Sequence, residues 1–264
     1  MTNERERELL LTLVPMLCEE RGMDAGLAAD ASVDELFATF RALVNTREPM
    51  PASKELLTLQ DELLQGIAEN KGVTHLEDLE PCGLDSRIRL WRGDITCLEV
   101  DAIVNAANNQ LLGCWAPGHY CIDNAIHTFA GIQLRLACAE LMRKQGHEEA
   151  TGLAKVTPAF NLPSKYVIHT VGPIAHGMPA ARHRVDLARC YKSCLDAAAG
   201  LGLGSIAFCC ISTGVFGFPQ ADAAQIAVRS VRKWLAEHEG ARIDVVFNVF
   251  LAKDEALYRR LLSC

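Results

Sequence analysis

Apolar positions recur at helical spacing through the first part of the chain and gather into short β-branched runs through the rest. Leu36, Phe37, Phe40, Leu43 and Val44 fall on one helical face. The preceding Ser32-Val33-Asp34-Glu35 has the capping-box pattern, in which a hydroxyl and a carboxylate satisfy the first unpaired amides of a helix. Pro49 and Pro51 stop that helix, and Ser53 caps another whose stripe is Leu56, Leu59, Leu63, Leu64 and Ile67. An earlier short helix is predicted over residues 8–18, broken or kinked at Pro15. Residues 77–85, with Pro81 and Gly83, read as a linker. The pattern therefore predicts a helical N-terminal extension over residues 1–80 and a second unit over residues 81–264.

In the second unit, strands are predicted at residues 88–91, 102–105, 166–171, 205–211 and 243–250. Helices are predicted between and after them, at 122–144, 183–201, 219–238 and 253–262. In the third of these, Ala224, Ala227, Val228, Val231, Trp234 and Leu235 form the buried stripe, while Arg229, Arg232 and Lys233 face out. Such alternation predicts an α/β fold with a mainly parallel sheet and helices on both faces. Ligands in these folds bind beyond the carboxyl ends of the strands, where the polar motifs of this chain fall.

Composition narrows the function classes. Half the 264 residues are apolar and 22% are charged, so a packed core is expected and a disordered chain is excluded. A net charge of -7 argues against a nucleic-acid partner held by counterion release from Lys and Arg. Polar residues or prolines interrupt every long apolar stretch, and the run 9–13 is too short for a signal sequence. A cytoplasmic, monomeric protein with no membrane association is expected. The eleven cysteines are odd in number in a chain that is not small, so reduced thiols are expected. Cys97, Cys138, Cys190, Cys194, Cys209 and Cys210 read as small buried hydrophobes.

Residues 113–127 concentrate chemistry. Cys114, His119 and Cys121 are side chains that zinc prefers, and Pro117 with Gly118 can turn the chain between them. The alternative reading is two buried cysteines and a surface histidine. Three protein ligands leave a fourth zinc position open, as in catalytic sites, unless Asp123 closes it. Two thiolates already cancel the charge of the ion, which favours a Lewis acid and positioner over a strong hydroxide source. Asp123 itself supplies the proton-accepting group a hydrolase needs.

Three further polar loops follow predicted strands: Gly93-Asp94-Ile95-Thr96, Asn105-Ala106-Ala107-Asn108 and Ser212-Thr213-Gly214-Val215-Phe216-Gly217. Asp94 can accept from an exocyclic amine or simply cap a turn. The glycines of the third loop let backbone amides approach anionic oxygens. Phe216 there can cover a ligand or join the core. Asn105 and Asn108 can bond hydroxyl groups of a ligand, and Asn105 can equally hold its own loop together. His127 and His169 read as buried, hydrogen-bonded histidines, and Trp115 and Tyr120 can stack on a ligand or shield the site.

In this order, and joined by the strings Ala125-Ile126-His127 and Tyr166 to Pro173, these motifs resemble the macrodomain family, whose members bind ADP-ribose. The resemblance runs from about residue 90 to the C-terminus. It implies a three-layer α/β/α macrodomain with a mixed, mainly parallel central sheet. It also implies adenine recognition by Asp94 with Ile95, a diphosphate held by Thr213, Gly214, Val215, Phe216 and Gly217, and a distal ribose beside Asn105 and Asn108. Common macrodomains place a run of glycines where this chain has Cys114 to Cys121. That departure resembles the smaller zinc-dependent group, implying one Zn2+ on Cys114, His119 and Cys121, with Asp123 and Asn108 as catalytic residues. The implied function is removal of mono-ADP-ribose from modified proteins, at Asp or Glu esters. A non-catalytic ADP-ribose reader with structural zinc and an O-acetyl-ADP-ribose esterase use the same motifs.

Overall fold

The computed structural model describes residues 1–26, 28, 30–83 and 85–264. Three helices come first: α1 (Asn3–Glu19), α2 (Val33–Asn45) and α3 (Lys54–Lys71). Then follow β1 (Thr74–His75), β2 (Ile88–Arg92), β3 (Leu98–Glu99), β4 (Ala102–Ala107), α4 (Ile122–Ala130), α5 (Ile132–Gln145), β5 (Ala154–Pro158) and β6 (Tyr166–Val171). The chain ends with α6 (Ala181–Gly200), β7 (Ser205–Phe208), α7 (Gln220–Glu237), β8 (Asp244–Val249) and α8 (Ala252–Leu262).

The capping box forms as the pattern requires, with Glu35 N–H donating to Ser32 Oγ at 3.3 Å and Ser32 N–H to the Glu35 carboxylate at 2.9 Å. Ser53 caps α3 by accepting from Leu56 N–H at 3.1 Å. The first helix is longer than expected and runs through Pro15 without a break. A proline there forfeits one backbone hydrogen bond. Burial of Leu9, Leu10, Leu13, Val14 and Leu17 among the stripes of α2 and α3 offsets that loss. These stripes close on one another as a hydrophobic cluster of their own, which Ile132 and Phe129 join from α5 and α4.

The main sheet has the order β2-β8-β7-β4-β6-β5. Its neighbours are parallel except β5, which runs antiparallel to β6. Helices α6, α7 and α8 pack side by side on the sheet, α4 and α5 form the other helical layer, and α2 packs on α4, giving the three-layer α/β/α architecture. The stripe of α7 is wholly buried, as its spacing demands.

Four features depart from the sequence reading. The helix expected over 122–144 is two helices, because Gly131 at φ +96° turns the chain where a side chain is strained. The edge strand β5 escaped notice because Lys155, Thr157 and Pro158 dilute its apolar pattern, which an edge position tolerates. The strands expected over 205–211 and 243–250 stop at Phe208 and Val249. Cys82 and Cys264 are paired, with Cα atoms 5.4 Å apart across 182 residues, correcting the reading of all thiols as reduced. No local spacing can signal so distant a partner. Cys97, Cys138, Cys190, Cys194 and Cys209 are buried thiols, as expected for small hydrophobes, whereas Cys210 is only partly buried. Among the described residues, no helix is long and apolar enough to cross a membrane.

Candidate active site

The carboxyl ends of the central strands carry the predicted site residues to one side of the sheet. Strand β4 leads through Asn108 into the loop holding Cys114, His119 and Cys121, and α4 begins directly after it. The three ligand atoms of these residues all lie within 4.8 Å of one another. Cys114 Sγ and His119 Nδ1 are 3.5 Å apart. A tetrahedral zinc with ordinary Zn–S and Zn–N lengths places such a pair about 3.6 Å apart. The donor set and its spacing therefore fit a zinc ion. Cys121 also N-caps α4, its Sγ accepting from Asn124 N–H at 3.4 Å. Burial pushes the Cys121 thiol up to about 12, with the neighbouring Cys114 and Asp123 adding to the rise and the Asn124 amide opposing it. A bound cation removes that penalty by replacing the proton.

Asp123 lies in the first turn of α4 and is 6% exposed. Burial raises its pKa to about 6, against the opposing hydrogen bond from Asn105 and the charge of Arg135. A carboxylate so placed is a competent base near neutral pH. Asn105, fully buried on β4, donates to Asp123 Oδ1 at 2.8 Å and lies 3.2 Å from His169 Nδ1. His169 Nε2 is 2.9 Å from Thr157 Oγ1 on β5. Because the Asn105 amide is a donor, Nδ1 must accept, which assigns the Nε2–H tautomer to His169. Burial depresses the His169 pKa to about 4 and keeps the ring neutral. Thr157, His169, Asn105 and Asp123 thus form one hydrogen-bonded chain from the sheet edge to the carboxylate.

His127 sits one turn after Asp123, with Nε2 3.6 Å from Asp123 Oδ1, too far for a hydrogen bond. Burial first, then the His169 ring and Arg135, hold it well below the usual histidine range, so this contact is not an ion pair. Its Nδ1 has no partner among the described residues either. Asn108 donates to Gly113 O at 2.9 Å, lies 3.5 Å from Asp123 Oδ2, and accepts from Gln110 N–H at 3.0 Å. It ties the start of the metal loop to the carboxylate.

At the far end of the sheet, Asp94 performs the turn-capping role. Its Oδ1 accepts from Thr96 N–H at 3.0 Å and from the Thr96 hydroxyl at 2.7 Å. Lys71, at the end of α3, donates to Oδ2 at 3.1 Å and lies 3.7 Å from the Phe129 ring centre. Burial alone raises the Asp94 pKa, but the Thr96 donors and the Lys71 charge outweigh it and keep the group ionised. Ile95 is buried, its side chain packed into the hydrophobic core.

The loop after β7 is anchored at both ends. Gly217 N–H donates to Gly214 O at 2.9 Å, while Phe216 O accepts from Ala175 N–H at 2.8 Å and from His176 N–H at 3.2 Å. The amides of Thr213, Gly217 and Phe218 are bonded, whereas those of Gly214, Val215 and Phe216 meet no acceptor among the described residues. Consecutive free amides of this kind suit anionic oxygens. Phe216 is half-buried rather than part of the core, and Val215 is exposed.

Several features of the site escaped the sequence reading. Phe250 is 74% exposed directly after β8, beside the strand that leads to Asp94, and its apolar flanks Val249 and Leu251 made it read as the end of a buried strand. Ser212 adopts φ +66° with a buried hydroxyl that has no partner among the described residues. Arg135 of α5 is buried, donates to Leu112 O at 2.6 Å and lies 4.2 Å from the Trp115 ring centre. These features depend on distant neighbours, so no local spacing signals them.

Comparison with known proteins gives the same picture. The sequence profile described as Macro domain matches residues 104–227. A "Protein-ADP-ribose hydrolase" of Treponema medium is 52% identical over 260 residues, covering 98% of this chain and 99% of that protein. One with the same name from Staphylococcus aureus is 49% identical over 252 residues, covering 95% and 94%. Among solved structures, a Trypanosoma brucei macrodomain in complex with ADP-ribose superposes with a TM-score of 0.64 at 34% identity, covering 84% of this chain and 94% of that one. An Oceanobacillus iheyensis macrodomain with ADP gives 0.61 at 38% identity, covering 67% and 90%. With relatives of about half-identical sequence matched almost end to end and solved macrodomains at 34% and 38% identity, the chain belongs to the macrodomain family.

Proposed function

We propose that the chain is a zinc-dependent hydrolase that removes a single ADP-ribose from a modified protein side chain, at an Asp or Glu ester. One observation carries the reading: a buried carboxylate, Asp123, stands two residues beyond three converging zinc-type ligands and is oriented by Asn105. The names of the full-length relatives support the same activity. Residues 81–264 are taken as the macrodomain and residues 1–80 as its helical extension.

In this reading Asp94 and Ile95 receive the adenine, and the loop Thr213, Gly214, Val215, Phe216 and Gly217 receives the diphosphate. Asn108 stands beside the distal ribose, while Asn105, fully buried, orients Asp123 from behind. Zinc on Cys114, His119 and Cys121 supplies Lewis acidity and a fixed anchor beside that ribose. Asp123 orients a water molecule toward the anomeric carbon and takes its proton. The carbon–oxygen bond to the ester breaks as the water oxygen adds, and the side-chain carboxylate leaves with the bonding pair. Because a carboxylate is a stable leaving group, no strong acid is needed, in keeping with two neutral histidines behind Asp123.

The test is release of free ADP-ribose from a mono-ADP-ribosylated protein, with metal content measured on the same samples. Chelation and Cys114→Ser are expected to abolish turnover while ADP-ribose still binds. Asp123→Asn is expected to lose about 10²–10⁴-fold in rate with binding retained. Full turnover by metal-free protein refutes the zinc assignment, and full turnover by Asp123→Asn refutes the base.

A further inference from the structure

The N-terminal helices have no chemical motif, yet one face of α2 is turned to the metal loop. Arg41 and Asn45 stand one helical turn apart on that face. Arg41 Nη2 donates to His119 O at 3.1 Å and to Asn124 Oδ1 at 2.8 Å, and Nε reaches the same oxygen at 3.1 Å. Its guanidinium also lies 5.4 Å from the Tyr120 ring centre. Asn45 Oδ1 accepts from Gly118 N–H at 3.0 Å and from Asn124 Nδ2 at 2.9 Å, while Asn45 Nδ2 donates to Thr128 Oγ1 at 2.9 Å. Asn124 passes this hold onward, donating through Nδ2 to Ala116 O at 3.1 Å and through its backbone to Cys121 Sγ at 3.4 Å.

The loop has little structure of its own. Within it, His119 N–H donates to Ala116 O and Cys121 N–H to His119 O. Three ligand atoms nevertheless converge, and an unsupported loop of this length loses much conformational freedom in reaching such an arrangement. The bonds that fix it come from a helix more than seventy residues earlier in the chain.

We propose that α2 is a positioning element of the site, with Arg41 and Asn45 clamping the loop so that Cys114, His119 and Cys121 stay converged for the metal. The proposal rests on the zinc reading above for its consequence, but the clamp itself is measurable without metal. Partners that orient metal ligands typically govern affinity by about 10–100-fold.

The experiment uses the full chain, wild type against Arg41→Ala, Asn45→Ala and Gln65→Ala. Gln65 of α3 donates to Asn161, in the turn between β5 and β6, at 2.9 Å, away from the loop. Zinc affinity is measured by competition with a chromophoric chelator, ADP-ribose affinity by calorimetry, and amide hydrogen exchange over residues 114–124 in metal-free protein. The clamp predicts faster exchange of the loop in Arg41→Ala and Asn45→Ala and zinc affinity lower by about 10–100-fold. ADP-ribose affinity stays within about threefold, and Gln65→Ala matches wild type. Should Asn45→Ala fail to fold, Arg41→Ala alone decides. Unchanged exchange in Arg41→Ala overturns the clamp whether or not the wild type binds zinc. Unchanged zinc affinity in that variant, with a wild type that binds zinc, also overturns it. A wild type that binds no zinc refutes the zinc reading, and loop exchange still judges the clamp.

Discussion

Protonating His169 should destabilise the fold, because its neutral ring is locked into the chain from Thr157 through Asn105 to Asp123. Burial lowers its pKa from 6.5 to about 4, so between these values the unfolded chain binds a proton that the native protein refuses. Stability therefore rises with pH through this window and is lost on acidification, reaching its full loss below the folded value. At pH 5 the unfolded imidazole is almost fully protonated and the native one almost fully neutral. The difference in stability between pH 7 and pH 5 from this one group is about 2 kcal/mol. The perturbation that isolates it is His169→Gln, which retains polar atoms toward Asn105 and Thr157 but does not titrate. Urea unfolding of both proteins at pH 7 and pH 5 supplies the assay. Wild type should lose about 2 kcal/mol more on acidification than the variant, since all other titrating groups are shared. Equal losses in the two proteins, or a larger loss in the variant, refute the assignment of His169 as a buried neutral histidine.

Two further outcomes are expected besides those of the metal, base and clamp experiments. Asp94→Ala should weaken ADP-ribose binding by about 10–100-fold, the worth of a hydrogen bond to a charged group, as measured by calorimetry. A fall in melting temperature with unchanged affinity would reduce Asp94 to a turn cap. Gly131→Ala should cost about 1–3 kcal/mol in urea unfolding, because φ is +96° and the added carbon meets Gln133, Gln60 and Asn161 side-chain atoms at 2.6–3.0 Å. A variant as stable as wild type would show that these side chains and the backbone relax freely.

The helices of this chain were legible where apolar spacing and caps agree, as at Ser32 with Glu35 and along the buried stripe of α7. The strands were legible where both faces are buried, as in β4 and β6, because continuous apolar runs then stand out. Strand β5 was not, since an edge needs less apolar cover and admits Lys155 and Pro158. The split at Gly131 was also hidden, because apolar periodicity continues across it and only the backbone turn reveals the junction.

What the sequence determined by itself was the set of local motifs and their order: three zinc-type ligands within eight residues, Asp123 just after them, and polar loops behind apolar strands. Those relations are short in sequence, and residue type and spacing carry them. Tertiary structure alone decided that Asn105 and His169, paired across β4 and β6, orient Asp123, that Lys71 meets Asp94, and that Arg41 and Asn45 reach the metal loop. Each of these joins residues tens of positions apart through directional hydrogen bonds or ion pairs. Such bonds exist only once packing has fixed both partners, so no stretch of sequence contains them.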